Sequence, residues 1–135
     1  MQLVVKNFER PDQRPTLPKS VADIVHLGDT TVVRGHIEPG WRWSNDWQPI
    51  LQTTSCEMPH TGVVLSGRLH FEMDDGTSAD LGPGDAYSVP PGHDAWVVGD
   101  APVQTLDWVV GHEETTERAI REGTAGQTPR PQSER

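Results

Sequence analysis

The sequence predicts an all-β domain, a sandwich or barrel of about eight or nine short strands. Two observations carry this. Val21 to Val110 reads as short alternating runs broken by turn residues. Gly and Pro number 13 and 12 in 135 residues, a mix that many strands with tight turns produce and a helical bundle does not. A chain of this length makes one compact domain and can bury a core without disulfides.

Residues 1–20 are Pro-rich and charged, with Arg10-Pro11-Asp12-Gln13-Arg14-Pro15 and Leu17-Pro18-Lys19. They are expected to form an extended arm that packs on the barrel or reaches a second subunit. Residues 21–112 are expected to form the barrel. Val32 to Glu38 alternates, with Val33, Gly35 and Ile37 on one side and Arg34, His36 and Glu38 on the other. Pro39-Gly40 turns, Trp41-Arg42-Trp43-Ser44 alternates again, and a loop runs to about Ser55. His60 to Leu65 and Arg68 to Met73 read as strands separated by Ser66-Gly67. Asp74-Asp75-Gly76 is a hairpin signal, because Asp-Gly accepts the positive φ of tight turns. Thr77 to Leu81, Ala86 to Val89, Ala95 to Val98 and Val103 to Val110 complete the set. Beyond Gly111 the apolar pattern stops. Residues 113–122 read as a short exposed helix and the rest of 113–135 as a disordered tail.

Composition narrows the partners. A net charge of -9 argues against nucleic acid and anionic membrane surfaces, which need a cationic patch. A single cysteine, Cys56, rules out an intrachain disulfide and fits a reducing cytoplasm. The N-terminus lacks the basic start and apolar core of a secretory signal, and no apolar run is long enough to span a bilayer. A cytoplasmic homodimer that takes a small-molecule ligand is the expectation.

Two stretches are more specific. The first is His60-Thr61-Gly62-Val63-Val64-Leu65-Ser66-Gly67-Arg68-Leu69. The second is Gly82-Pro83-Gly84-Asp85-Ala86-Tyr87-Ser88-Val89-Pro90-Pro91-Gly92-His93. Together they resemble the two signature motifs of the cupin superfamily, over about residues 30 to 110. The resemblance implies a jelly-roll β-barrel with a pocket near one mouth. The physics agrees: Gly84-Asp85 and Pro91-Gly92 make sharp junctions that keep strands short enough to wrap.

The resemblance also implies a divalent metal held by two His and one Glu of the first motif and one His of the second. Most of those positions differ here. The Glu position is His60, and the two first-motif His positions are Thr54 and Cys56. The second-motif His position is Ala95, while His93 follows Gly92 directly. A different ligand set remains: Cys56 and His60 share parity, and His93 approaches from a neighbouring strand. Cys, His and His suit Zn or Fe with positions left open. The alternative is a metal-free pocket in which Cys56 is a small buried hydrophobe, His60 bonds a backbone carbonyl and His93 caps its turn.

Five tryptophans are a heavy load beside two Phe and one Tyr. Trp41, Trp43 and Trp47 are candidates for an aromatic pocket wall that takes planar or apolar molecules. Arg42, if it turns inward, would anchor a carboxylate or phosphate, and His36 is a candidate at the pocket rim. Trp96 and Trp108 read as core or dimer-interface residues, His70 as exposed, and Asp85 as a turn residue. Asp94 either orients His93 or, as its strand neighbour, points away. The functional expectation is a metal-dependent enzyme of oxygenase, isomerase or cyclase type on a small planar or acidic substrate. The alternatives are a non-catalytic ligand-binding or sensory module without metal, and a structural dimer module.

Overall fold

A computed structural model describes residues 2–110. The expected exposed helix at 113–122, the tail beyond it and the last two barrel residues lie outside the described residues.

The described chain runs β1 (Thr16–Leu17), β2 (Ser20–Leu27), β3 (Thr30–Ile37), α1 (Trp43–Asp46), α2 (Gln48–Leu51), β4 (His60–Ser66), β5 (Leu69–Met73), β6 (Ser78–Leu81), β7 (Ala86–Val89), β8 (His93–Val97) and β9 (Val103–Val110). All strand pairs are antiparallel. A six-stranded sheet has the order β1-β2-β3-β9-β4-β7, and a three-stranded sheet the order β6-β5-β8. The fold is therefore all-β, as expected. The expected barrel is not closed by hydrogen bonds among the described residues, since the two sheets share no strand.

The turns fall where the turn chemistry put them. Asp75-Gly76 joins β5 to β6 with Gly76 at φ 91°. Asp85 accepts from the backbone N–H of Gly82 at 2.8 Å, the expected turn role. The core between the sheets includes Val64, Leu69, Phe71, Val89, Val97 and Val103.

The Trp41 to Ser44 segment departs from the strand expected of it. Arg42 makes an isolated bridge to Trp96, after which the chain winds into α1 and α2. Alternation over four residues is too short to specify a strand, and local bonds decide the outcome. The Asp46 carboxylate accepts the Arg42 backbone N–H at 2.9 Å, and Asp94 takes both the N–H (3.1 Å) and hydroxyl (2.8 Å) of Ser44. Pro49 sits in the first turn of α2, where its missing N–H costs nothing. Trp43 is thereby carried into the core at 1% exposure.

The arm is not free of the sheet. Gln13 bridges Ile24, and β1 pairs with β2. Asp23 is buried on β2 between two guanidinium groups, Arg14 Nε at 2.5 Å and Arg34 Nη2 at 2.8 Å. Burial alone would push its carboxyl up. The bonds from Arg34 and Arg14 outweigh that and hold it below the usual carboxylate range.

A depressed carboxylate stabilises the fold above the ordinary carboxylate pKa, and the contribution fades as pH falls through the folded value. The melting temperature should therefore drop on acidification below about pH 4. Asp23→Asn should cost about 2 kcal/mol at neutral pH and flatten that acid slope. A variant with the wild-type slope in pH-dependent thermal melts would show that Asp23 is not responsible.

Candidate functional site

Sequence parity places His60, Gly62 and Val64 on one face of β4. That face looks between the sheets, where the side chains from both meet around a cavity of about 120 Å³. β3 contributes Val33, Gly35 and Ile37, and β5 contributes Leu69 and Phe71.

Cys56 precedes β4 outside any strand, yet its backbone is fixed. Its N–H bonds His93 O at 2.7 Å, and its carbonyl accepts from Gly92 N at 2.7 Å. That bridge carries Cys56 to the start of β8. His93 and Ala95 have the same parity and both line the cavity. A His two residues early thus still points inward, about 7 Å further along the strand.

Cys56, His60 and His93 each offer one ligand atom, and those atoms lie within 4.8 Å of one another. Cys56 Sγ is 3.8 Å from His60 Nε2, and the two imidazoles meet edge to face at 5.1 Å between centroids. Phe71 packs edge-on against His93 at 5.5 Å. His93 is 1% exposed and Cys56 2%. The other ring nitrogen of each His is already engaged. His93 Nδ1 bonds Pro90 O at 2.8 Å, and His60 Nδ1 lies 3.4 Å from Asp107 Oδ2. Each ring therefore turns its Nε2 toward the shared space, with the tautomer set by the outer partner.

Asp107 was not among the sequence candidates. It enters through strand register. Gly62 lies opposite both Tyr87 of β7 and Asp107 of β9. Tyr87 donates its hydroxyl proton to Asp107 Oδ1 across the space that a side chain at 62 would fill. A Cβ on Gly62 would collide with Asp107 Oδ1 and with the Leu106 carbonyl oxygen.

These contacts set the charges. Burial pushes the Cys56 thiol up, but bonds and charge from His60 and His93 outweigh it and bring it down to about 6. Burial pushes the His60 imidazolium toward losing its proton, but the Asp107 carboxylate and the Cys56 sulfur raise it to about 10. Burial and the neighbouring Asp107 carboxylate both drive the Tyr87 phenol well above its usual range, so it remains a hydrogen-bond donor.

The structure sorts the remaining candidates. Trp41, Trp43 and Trp47 line the cavity, with Trp41 and Trp47 edge to face at 5.1 Å. Arg42 and His36 do not line it. Arg42 is held outside by Asp94 at 3.0 Å and lies 4.2 Å over the Trp96 ring. His36 pairs with Glu38 at 2.5 Å on the side of β3 opposite Val33, Gly35 and Ile37. The alternation that sent those three inward necessarily sent His36 outward. Asp94 serves α1 rather than His93. Trp96 is stacked on His70 at 4.3 Å instead of filling the core, and His70, bonded to Asp80 at 2.6 Å, is largely covered rather than exposed. Trp108 is 36% exposed and reaches the cavity edge. Thr54 is exposed.

No protein-family model matches this sequence, and no curated protein matches it. Solved structures do. A protein of unknown function from Rhizobium leguminosarum bv. viciae 3841 superposes with a TM-score of 0.59 at 20% identity, over 83% of this chain and 100% of that one. An uncharacterized conserved protein with a double-stranded β-helix domain from Klebsiella pneumoniae gives 0.52 at 23% identity, over 74% and 84%. An oxalate decarboxylase of Lactobacillus farciminis gives 0.54 at 12% identity, over 73% of this chain. The chain has the fold of a small cupin. It spans 31% of that decarboxylase and 58% of a sugar phosphate isomerase from a cupin superfamily in Silicibacter pomeroyi, less than two thirds of either enzyme. No helix among the described residues is long and apolar enough to cross a membrane.

Gly62→Ala should cost about 1–3 kcal/mol through overpacking and should break the Tyr87–Asp107 bond. Tyr87→Phe removes that bond without adding bulk and should cost about 1 kcal/mol, because it takes the donor from a half-buried carboxylate oxygen. Chemical denaturation of both variants checks this. Wild-type stability in Gly62→Ala would mean that Asp107 does not occupy the space over residue 62.

Proposed function

We propose that this cupin is a metal-dependent enzyme acting on a small organic molecule held in the cavity. A divalent ion, zinc or iron, would be held by Cys56 Sγ, His60 Nε2 and His93 Nε2. One observation supports this reading above the others: three soft and borderline donors, Cys56 and His93 buried and His60 partly so, converge within 4.8 Å beside a cavity, with each imidazole anchored through its far nitrogen. Zinc and iron favour thiolate and imidazole donors, and three protein ligands leave a position for substrate or water. When bound, such an ion supplies a Lewis acid that polarises a substrate oxygen.

The rest of the work falls to the chain. Asp107 keeps the proton on His60 Nδ1, so that Nε2 is left as the ligand atom. Tyr87 holds Asp107 in place by filling its other oxygen. Phe71 braces the His93 ring. Trp41, Trp43 and Trp47 give a dry wall that excludes bulk water from the reacting end. Sharing its fold with an oxalate decarboxylase is compatible with an enzyme and does not name the reaction.

Elemental analysis of protein purified without chelators should find zinc or iron at close to one ion per chain. In cobalt titration, the wild type should show a thiolate-to-cobalt absorption band. Cys56→Ser should abolish that band, and His60→Ala and His93→Ala should abolish tight binding. Asp107→Asn should weaken cobalt binding about 10–100-fold while leaving the band in place. A protein that is metal-free as isolated and takes up no cobalt would leave the cavity as a non-catalytic ligand pocket.

A further inference from the structure

The outward faces of the two sheets differ in charge. On the three-stranded sheet, register turns His70, Glu72, Asp80, Asp94 and Trp96 outward. Its carboxylates give it the polar character of a solvated antiparallel face. The outward face of the six-stranded sheet divides in two. Over β2 and β3 it carries Asp23 and Arg34, which lie opposite each other. The arm covers that half: Arg14 pairs with Asp23, Glu9 pairs with Arg34 at 3.1 Å, and Phe8 lies 5.1 Å from the Arg34 guanidinium. Val25, two residues on from Asp23 on the same face, is 3% exposed. Over β9 and β4 the apolar side chains stand open instead. Leu65 is 45% exposed, Trp108 36% and Val110 63%.

The open half has no charged side chain on its strands. β4 and β9 turn Val63, Leu65, Leu106, Trp108 and Val110 outward, because the alternate positions, His60, Gly62 and Asp107 among them, face the cavity. The polar outward residues beside them, Thr61, Ser88 and Gln104, are uncharged. Charged residues make up 23% of the chain, so their absence across three adjacent strands sets this face apart from the other outward faces. A contiguous apolar patch of this kind marks an interaction surface.

Charge selects the occupant. A charged partner gains nothing here, because the face has no ion to pair with. Two copies of a chain with net charge -9 repel each other in general. Back to back over this half they bring no like charges face to face, and a two-fold axis sets the same apolar rows against each other. The arm adds to the surface. Leu3 and Val5 are 93% and 81% exposed, and the chain from Leu3 to Phe8 spans at most about 17 Å, so they stand near the border of the open half. Three strands about 4.8 Å apart and about 25 Å long give a flat footprint of roughly 350 Å². A standard interface takes about 800 Å² of accessible surface from each partner, so the arms have a share to supply. We infer that the outward faces of β9, β4 and β7 form the interface of a two-fold homodimer, with Leu3 and Val5 of each arm packed against the other copy at its border. The interface covers the backs of the strands that carry His60, Gly62 and Asp107. It does not depend on what the cavity holds.

Sedimentation equilibrium of the full chain at micromolar concentration should give twice the 14.9 kDa of one chain. Leu65→Glu should weaken the dimer about 100-fold or more, because the two-fold axis buries the new carboxylate twice. Leu3→Glu combined with Val5→Glu should weaken it about tenfold. Ser78→Glu adds the same charge at an exposed position on β6 of the other sheet and should leave the dimer intact. Thermal melts of each variant check that it folds. A measurement on the unaltered sequence stands beside them. With 5-fluorotryptophan incorporated, the Trp108 ¹⁹F resonance should move on dilution through the dissociation range, while that of buried Trp43 holds its position. A monomer at every concentration overturns the inference, whether residues 111–135 or a different protein then covers the face. A dimer that survives Leu65→Glu, with a Trp108 resonance unmoved on dilution, overturns it as well by placing the interface elsewhere.

Discussion

Gly62 leaves a gap in the middle of β4, and the rest of the site is organised by what occupies it. β4 runs between β7 and β9. At this register Tyr87, Gly62 and Asp107 fall in line across the three strands. Ordinarily the central side chain would keep its two neighbours apart. Here the neighbours bond to each other over the bare backbone. That bond leaves the second oxygen of Asp107 facing His60, the adjacent inward residue of the same strand. The direction of His60 Nε2, and with it the approach to Cys56, follows from a missing methyl group.

The electrostatics of the cluster are built on the same line. A buried thiol and a buried imidazole would each ordinarily give up charge. In this chain the Cys56 thiol is drawn down to about 6 and the His60 imidazolium up to about 10. The two shifts have opposite signs because each group supplies the charge the other needs, with Asp107 behind His60. A proton on His60 Nε2 and a metal ion in the same place would be favoured by the same two negative groups. They compete for one position.

Local chemistry in the sequence was enough for the turns and for the three convergent donors. Asp75-Gly76 and Gly82 to Asp85 speak for themselves, because a positive φ or a side chain-to-backbone bond is a property of a few consecutive residues. The spacing of Cys56 and His60 and the position of His93 after Gly92 pointed at one shared space, although Cys56 reaches it by a backbone bridge to His93 and not as part of β4. Asp107 was not legible in this way. It lies on the last strand, and only the pairing of β4 with β9 brings it to His60; a residue's own neighbours do not encode the register of a distant strand. Arg42 and Trp43 were misread for a related reason. Their alternation suggested a strand, while the bonds from Asp46 and Asp94 that wind the segment into α1 come partly from β8, about fifty residues on. His70 looked exposed between Arg68 and Glu72 until Trp96 and Asp80 covered it from the two flanking strands.

β8 has a double attachment. Its outward residue Asp94 grips Ser44 and Arg42 at the head of α1, and Val97 N–H bonds the carbonyl of Trp41 at 3.0 Å. Its inward residue His93 belongs to the donor cluster, and the same residue's backbone holds Cys56. The aromatic wall and two of the three donors are therefore mounted on one five-residue strand. They share one support, and the register of β8 sets the position of the α1 end of the wall and of those two donors together.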